Sequence, residues 1–143
     1  FEELKKQNKI IEHRSYNTVH GIWHYFTVND GQIDLDKYDY LMLGTLQSYG
    51  QIRDYFGHDK VIPIYIEVED GIRLMRALLR EQKQEEPKYA EMCRRFLADC
   101  EDFSEENIAA YGIKKRYQNI DIDECLREIT ADIKYYIGSR DII

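Results

Sequence analysis

The first forty residues have the spacing of a short helix followed by a β-hairpin. Leu4 is the main apolar position of the opening helical stretch, and two strand-like stretches follow it. Gly21 and several polar residues separate these stretches, and an Asn-Asp-Gly triplet follows the second, so both places favour turns. The predicted elements are a helix over residues 2–9, strands over 10–16 and 24–28, a hairpin loop over 17–23 and a turn over 29–31.

After residue 37 the pattern changes to apolar runs that alternate with helical stretches. The run over residues 40–43 is short and uninterrupted, which is typical of a strand covered on both faces. Strands and helices with short connections predict a parallel sheet with right-handed crossovers, and Pro63 in the second run suits an edge or a bulge. The predicted strands cover residues 40–43, 61–68 and 114–118, and the predicted helices cover 46–56, 70–82, 85–103 and 121–136.

Local signals set the ends of these helices. We expect Gly57 to end the first one, Pro87 to lie in the first turn of the third, and Asp121 or Asp123 to cap the last. The last helix is expected to bury the face that carries Cys125, Leu126, Ile129, Ile133 and Ile137. The sequence therefore predicts an α/β fold with a small mixed-β insertion before the main sheet resumes.

Length and charge narrow the class of protein. A chain of 143 residues that is 43% apolar and 33% charged is expected to form one domain with a real core and to stay soluble. The net charge of −7 argues against non-specific binding to a nucleic-acid backbone, which needs clustered Lys and Arg. The negative net charge does not exclude a phosphorylated small molecule as a ligand, because a few arginines close together suffice to bind one.

The remaining composition bears on location. The longest apolar stretch, residues 61–66, has the length of a strand, so we predict no membrane span. The opening residues lack both an initiator Met and the apolar segment of a signal peptide, so we expect a chain cut from a longer one. Cys93, Cys100 and Cys125 form no Cys-x-x-Cys pair, which favours reduced thiols and a cytoplasmic location.

The first candidate site joins Glu12 on one predicted strand to Tyr25 and Thr27 on the next. If the strands pair, a carboxylate, a phenol and a hydroxyl can face one concavity. A carboxylate meets two adjacent N–H donors at once, and guanine presents such donors at N1 and N2. The alternative is that Glu12 is a solvated strand residue and Tyr25 a core aromatic.

The second candidate is a set of cations on either side of the polar stretch 82–87. Guanidinium groups bind phosphate oxygens and screen the charge that develops in phosphoryl transfer, so cations flanking a hinge suit a lid over phosphates. The alternative is a solvated surface on which arginines pair with neighbouring glutamates. The cations are Arg73, Arg76, Arg80, Lys88, Arg94 and Arg95, and the glutamates are Glu81, Glu85, Glu86 and Glu91.

The third candidate is the loop over residues 44–50. Ligands of parallel α/β sheets lie beyond the carboxyl ends of the strands, where this loop is predicted to be. The alternative is an ordinary connection in which Thr45 or Ser48 caps the next helix. The phosphate-binding motif Gly-x-x-x-x-Gly-Lys-Ser/Thr does not occur in the 143 residues. His20 and His24 could contribute to a metal site, but no third ligand stands at a clear spacing, so we predict no metal.

Taken in order, these stretches resemble the guanylate kinase family over roughly residues 1–137. Each motif is short, and their order and spacing carry the resemblance. The opening Phe1-Glu2-Glu3-Leu4 with Ile11-Glu12-His13, and Tyr25-Phe26-Thr27, resemble two acceptor-binding stretches. Arg76-Ala77-Leu78-Leu79-Arg80, Arg94-Arg95-Phe96-Leu97 and Tyr117-Gln118-Asn119-Ile120-Asp121 resemble two arginine motifs and a terminal Asn motif.

This resemblance implies a P-loop NTPase-like core in a single domain over residues 1–143. Residues 1–37 would be the acceptor-binding subdomain, and residues 38–143 the core with a helical lid over about 80–95. The implied reaction is phosphoryl transfer from ATP, with Mg²⁺, to GMP. By the same resemblance Glu12 and Thr27 bind the guanine base, Tyr25 the acceptor phosphate, Arg80 and Arg95 close over the phosphates, and Asn119 lies near the donor nucleotide.

The departures from the family pattern define the alternatives. The family's P-loop and acceptor-phosphate arginines lie upstream of the segment that matches Phe1, so we expect these 143 residues alone to be inactive. Thr45 stands where the family usually has an aspartate. It remains a substrate-binding candidate, because its hydroxyl can keep a hydrogen bond, although it cannot replace the pairing of a carboxylate. Glu81 stands where the family has a glycine, and the lid segment that ends at Arg95 is longer than in the family. The alternative functions are a protein-interaction module that has lost catalysis and a kinase for another small acceptor.

Overall fold

The computed structural model describes residues 1–18 and 21–140, which divide into two compact units, Phe1–Ile62 and Pro63–Ile143. The chain is α/β: helices accompany one antiparallel strand pair in the first unit and one parallel pair in the second. Within the described ranges, no helix combines the length and the apolar character that a bilayer crossing requires. Each unit has its own packing and its own candidate site.

The first unit is built on a long β-hairpin. Helix α1 (Glu2–Lys6) leads into strands β1 (Ile10–Thr18) and β2 (Gly21–Val28), which pair antiparallel with an irregularity between Ile10 and Glu12. The predicted loop over residues 17–23 is wrong for most of its length, because both strands continue into it and Asn17 pairs with Ile22. β-Branched and aromatic residues in this stretch favour the ladder, and Gly21, with φ of 106°, has a backbone conformation that suits a turn.

Helix α2 (Leu46–Phe56) packs against β1 and has the predicted bounds. The Thr45 hydroxyl accepts a hydrogen bond from the Ser48 backbone N–H at 3.3 Å, so Thr45 is the N-cap. Gly57, with φ of 103°, follows the last residue and accommodates a conformation that L side chains rarely adopt. The predicted start and end of α2 are both confirmed.

The predicted buried strand over residues 40–43 is wrong. These residues have no regular secondary structure, Leu41 is 85% exposed and Leu43 is fully exposed. A continuous apolar run becomes a buried strand only where neighbouring strands satisfy its backbone groups and cover its faces. Both sheets in the described part of the chain are two-stranded and neither includes this run, so its composition alone does not place it in a sheet.

The second unit contains the parallel strand pair. β3 (Tyr65–Glu67) pairs with β4 (Arg116–Gln118), which confirms a parallel pairing but with both strands shorter than predicted. Pro63 lies outside the strand, consistent with its missing N–H donor. The helices are α3 (Asp70–Glu81), α4 (Tyr89–Asp102), α5 (Glu105–Ala110) and α6 (Ile122–Arg140).

Several helices differ from prediction: α1 ends at Lys6 instead of residue 9, α6 runs to Arg140 instead of residue 136, and two further differences have local reasons. α4 begins after Pro87 instead of at residue 85, because a residue that precedes proline is disfavoured in the helical region. α5 was not predicted, although Ser104 caps it by accepting from the Asn107 backbone N–H at 3.4 Å. A cap residue followed by two glutamates, Ser104-Glu105-Glu106, is the signal that would have found it.

The core of the second unit lies where α6 covers β4. Tyr117, Cys125 and Ile129 are buried together, and Ile64 and Ile133 pack against them. Burying a large apolar side chain stabilises a fold by about 1.5–3 kcal/mol, so this cluster is the main contact holding α6.

Only part of the predicted apolar face of α6 is buried. Leu126 is 53% exposed and Ile137 is also exposed, because the buried positions recur every four residues and the cover of β4 ends before the last turns. The Asp121 carboxylate accepts from the Glu124 backbone N–H at 2.9 Å, which selects Asp121 over Asp123 as the N-cap.

Candidate functional site

The central feature of the first unit is the buried carboxylate of Glu12, which is 4% exposed. Its Oε1 accepts a hydrogen bond from the Thr27 hydroxyl at 3.0 Å, and its Oε2 accepts one from the Ser48 hydroxyl at 3.2 Å. The two donors come from β2 and α2. The structure thus brings together Glu12 and Thr27, as the sequence predicted, and adds Ser48.

The hairpin register and the helix cap together explain this arrangement. Glu12 lies opposite Thr27 in the strand ladder, so their side chains leave the same face. The cap at Thr45 fixes the first turn of α2, and its hydroxyl lies 3.4 Å from the Ser48 hydroxyl. Thr45 therefore reaches the carboxylate through Ser48 and does not itself donate to Glu12. Ser48 follows Thr45 by three residues, a capping spacing that could have identified it from the sequence.

Arg14 also contacts this carboxylate, and sequence analysis missed it. Its Nε lies 3.3 Å from Glu12 Oε2, which is an ion-pair contact. The Nε is nevertheless a buried donor without a hydrogen-bond acceptor among the described residues. It is close enough to the carboxylate oxygen, but its N–H is not aligned with that oxygen. Arg14 follows Glu12 by two strand positions, and that spacing places both on one face.

Tyr25 lies on the same face but farther along the hairpin. It is the ladder partner of Arg14, it is 47% exposed, and its ring meets Tyr16 edge-on with 5.7 Å between centroids. Trp23 opposes Tyr16 and is also half-exposed. The alternative of a solvated Glu12 and a core Tyr25 is wrong on both counts: the carboxylate is buried and the phenol is open to solvent.

The opposite face of the hairpin carries a histidine pair. His13 Nε2 lies 2.9 Å from His24 Nδ1, and the Phe1 ring stacks on His24 with 4.5 Å between centroids. Burial, and then the neighbouring His24 and Lys5, lower the pKa of His13 from its ordinary value of 6.5. The side chain of Gln51 bonds the His13 backbone N–H and C=O at 2.8 and 3.0 Å, which ties this strand to α2.

The predicted histidine pair included His20, which lies outside the described residues. Within the ranges that the structure describes, no three His, Cys, Asp or Glu side chains are grouped so that they could hold a metal ion.

In the second unit, Arg80 and Arg95 line one cleft of about 960 Å³ between α3 and α4. The Arg80 guanidinium makes no hydrogen bond or ion pair within the described part of the chain. The Arg95 Nε donates to Glu91 at 2.8 Å. The four cations of the cleft are Arg73, Arg80, Lys88 and Arg95, and its five acids are Glu81, Glu85, Glu86, Glu91 and Asp99. The two predicted lid arginines share a cleft, but acidic residues balance their charge.

Glu91 explains much of that balance. It also accepts two hydrogen bonds from Arg94 at 2.8 Å, and the bonds from Arg94 and Arg95 lower its pKa to about 2. The alternative of arginines paired with helical glutamates is therefore right for these two residues in the structure.

The other two arginines of the predicted set have structural contacts. The Arg73 guanidinium stacks over the Phe96 ring at 4.1 Å and donates to Asp70 at 3.1 Å. Arg76 donates to the backbone carbonyls of Asn119 and Ile120 at 2.8 and 3.0 Å. Arg73 thus joins α3 to α4, and Arg76 joins α3 to the end of β4.

Asn119 lies at the carboxyl end of the parallel pair, where α/β proteins bind ligands. Its backbone N–H donates to the Glu67 carbonyl at 2.9 Å, and its own carbonyl already accepts from Arg76. No family model, curated protein or solved structure matches this chain.

Proposed function

We propose that this chain is part of a nucleoside monophosphate kinase whose acceptor is GMP and whose donor is ATP with Mg²⁺. The observation that supports the proposal best is the buried Glu12 carboxylate with hydroxyl donors on both oxygens. An ionised carboxylate has about four acceptor positions, so it can bind two N–H donors of a base in addition to its present contacts. Hydroxyl groups rotate, and Thr27 and Ser48 can adjust to that change.

The same carboxylate would discriminate between purines. Guanine presents N–H donors at N1 and N2, whereas adenine presents an acceptor at N1. A carboxylate facing a purine acceptor leaves both groups unpaired, and an unpaired buried group costs about 1–3 kcal/mol, which is about 5- to 150-fold in affinity. The chemistry at Glu12 thus favours GMP over AMP.

The remaining residues have roles in positioning and charge. Tyr25 is exposed on the face of Glu12 and would donate its hydroxyl to the acceptor phosphate. Arg80 and Arg95 line one cleft and would screen the transferring phosphoryl group after closure. Thr45 would act by holding Ser48 against the carboxylate. Most of the rate enhancement in such transfers comes from positioning and electrostatic stabilisation.

Titration calorimetry with GMP, AMP and dTMP tests the proposal on the complete protein that contains this chain. We expect GMP to bind, AMP to bind at least about tenfold more weakly, and Glu12→Gln to weaken GMP binding by about tenfold or more. Glu106→Gln in α5 is the matched control, because Glu106 is exposed and lies in the second unit.

Two results would overturn this function. A protein that binds no nucleoside monophosphate would instead support the interaction module, which the threonine at position 45 and the acidic lining of the α3–α4 cleft favour. Preference for AMP or dTMP would point to a different acceptor. A coupled assay of ADP release should show no turnover from the 143 residues alone, and steady turnover would contradict that expectation.

A further inference from the structure

Arg14 carries the one side-chain nitrogen that the described residues bury without a hydrogen-bond acceptor. It sits against the carboxylate to which the proposed function assigns the base. We propose that Arg14 determines base specificity by donating to the O6 oxygen of guanine while Glu12 accepts from N1–H and N2–H. The inference rests on the proposed function and adds a residue to it.

The geometry places the two side chains side by side. Glu12 and Arg14 alternate along β1 and leave the same face of the hairpin, opposite Thr27 and Tyr25. Arg14 Nε lies 3.3 Å from Glu12 Oε2, so cation and anion are adjacent. The Arg14 side chain is 23% exposed, against 6% for that of Glu12, so part of the Arg14 side chain faces solvent.

The order of charges along this face matches the order of groups on guanine. The N2 and N1 donors and the O6 acceptor follow one another on a single edge of the base, so a carboxylate followed by a guanidinium meets all three. Arginine donates well to guanine O6, because its planar guanidinium keeps its charge and offers several N–H groups in fixed directions. Adenine has an acceptor at N1 and an amino group in place of O6. It would therefore present an acceptor to the Glu12 carboxylate and a donor to the Arg14 guanidinium, and neither pair could form a hydrogen bond.

This assignment also explains why the donor lacks an acceptor. Buried donors in native structures are paired in the great majority, and an unpaired one calls for a reason. The Nε is held beside Glu12 without donating to it, and a small reorientation toward a ligand oxygen would provide the missing acceptor. A purely structural ion pair would instead be expected to align its donor with the carboxylate.

The test compares purine monophosphates that lack part of the guanine edge, using calorimetry on the complete protein. IMP keeps O6 and N1–H but lacks the N2 amine, whereas 2-aminopurine riboside monophosphate keeps the amine but lacks both O6 and the N1 proton. We expect Arg14→Gln to weaken GMP and IMP alike, by about tenfold, and to leave 2-aminopurine riboside monophosphate unchanged. Glu12→Gln should instead reduce the ratio of GMP to IMP affinity, because only GMP loses its N2 contact.

Two further variants separate specificity from folding. Arg14→Lys keeps the charge but loses the planar fork, so it should recover part of the GMP affinity that Arg14→Gln loses. Arg127→Gln is the matched control, because Arg127 is exposed on α6 in the other unit and should leave every affinity unchanged. Fluorescence of Trp23, the only tryptophan, checks that the hairpin is intact in each variant.

Each failure has its own signature. If the unmodified protein binds no purine monophosphate, the proposed function fails and this inference fails with it. If it binds GMP but Arg14→Gln has the same GMP affinity, only the Arg14 assignment is overturned. An equal loss for GMP and for 2-aminopurine riboside monophosphate also overturns it, because Arg14 would then act on the phosphate or on the fold.

Discussion

The carboxylate site of the first unit and the arginine cleft of the second satisfy their charges in different ways. Glu12 is buried, and its partners come from β1, β2 and α2. Arg95 is exposed, and its partner Glu91 lies four residues away on the same helix. A site assembled from three elements depends on the tertiary fold, whereas a pair at this helical spacing forms wherever the helix forms.

The difference bears on how readily each site can respond to a ligand. Exposed ion pairs contribute little to stability, so a phosphate can replace Glu91 as the partner of Arg95 at small cost. A buried carboxylate cannot exchange its partners without losing hydrogen bonds, so Glu12 stays where the fold holds it. We therefore interpret the first site as pre-formed and the second as one that a ligand must reorganise.

Removing the carboxylate should give the largest effect. Glu12→Ala leaves the Thr27 and Ser48 hydroxyls without their acceptor and the Arg14 guanidinium without its counter-ion. We expect the free energy of unfolding of the first unit to fall by about 3 kcal/mol, as for other broken buried pairs. Urea unfolding followed by Trp23 fluorescence measures it.

Glu91→Ala is the counterpart in the second unit. Its partners are exposed arginines on its own helix, so the urea midpoint of the second unit, followed by helical circular dichroism, should hardly move. Equal losses of stability in the two variants would break the distinction between the two sites.

The second prediction separates two arginines that share one partner. Arg94 and Arg95 both bond Glu91, but only Arg95 lines the cleft with Arg80. Under the proposed function we expect Arg95→Ala to lower kcat of the complete protein by about tenfold or more, because a charge proposed to screen the transferring phosphoryl group is lost. Arg94→Ala should leave kcat near the unmodified value. The coupled ADP assay measures both, and similar losses would remove the basis for assigning Arg95 to the lid.

The third and smallest effect concerns pH. His13 has a lower pKa in the folded protein than its ordinary 6.5, so as the pH falls the unfolded chain takes up this proton first. The stabilisation is fully present above about pH 6.5 and is lost as the pH falls through the folded pKa. His24 and Lys5 oppose protonation, and Glu12 and Glu2 favour it.

We expect the urea midpoint reported by Trp23 to fall between about pH 7.5 and about pH 5.5, and His24→Gln to weaken that dependence. His58→Gln is the matched control, because His58 is exposed and lies near Asp54. In the second unit the pKa of Glu91 is lowered to about 2, so Glu91 stays charged and its ion pairs should persist over the whole pH range of this experiment. A midpoint for the first unit that is independent of pH would rule out the histidine pair as a contributor.

Local signals predicted most of the elements but not their full extent. Thr45 and Gly57 fixed α2 at both ends, because capping depends on residues close in sequence. The hairpin loop was predicted too long, because a ladder continues as long as partner residues face each other, and that depends on the opposite strand. The run at residues 40–43 was predicted as a strand, although strand formation needs neighbours that the run itself does not encode.

The candidate site was predictable only in part for the same reason. Glu12 and Thr27 were found because alternation along adjacent strands predicts which side chains share a face. Arg14 was missed, and Ser48 was predicted only as part of the separate loop over residues 44–50, since their contacts with Glu12 depend on how α2 packs on the hairpin and on how the guanidinium is oriented. The arginine cleft was predicted as a set of cations, with pairing to neighbouring glutamates as the alternative, and the structure decided for pairing at Glu91.

The sequence by itself determined the helices, their caps, the hairpin and the type of charge at each position, because these follow from interactions over a few residues. The tertiary structure decided which carboxylate is buried and which guanidinium is already paired. Burial and pairing depend on side chains from distant parts of the chain meeting within a few ångströms, as Ser48 meets Glu12. That proximity is set by packing, which no local pattern specifies.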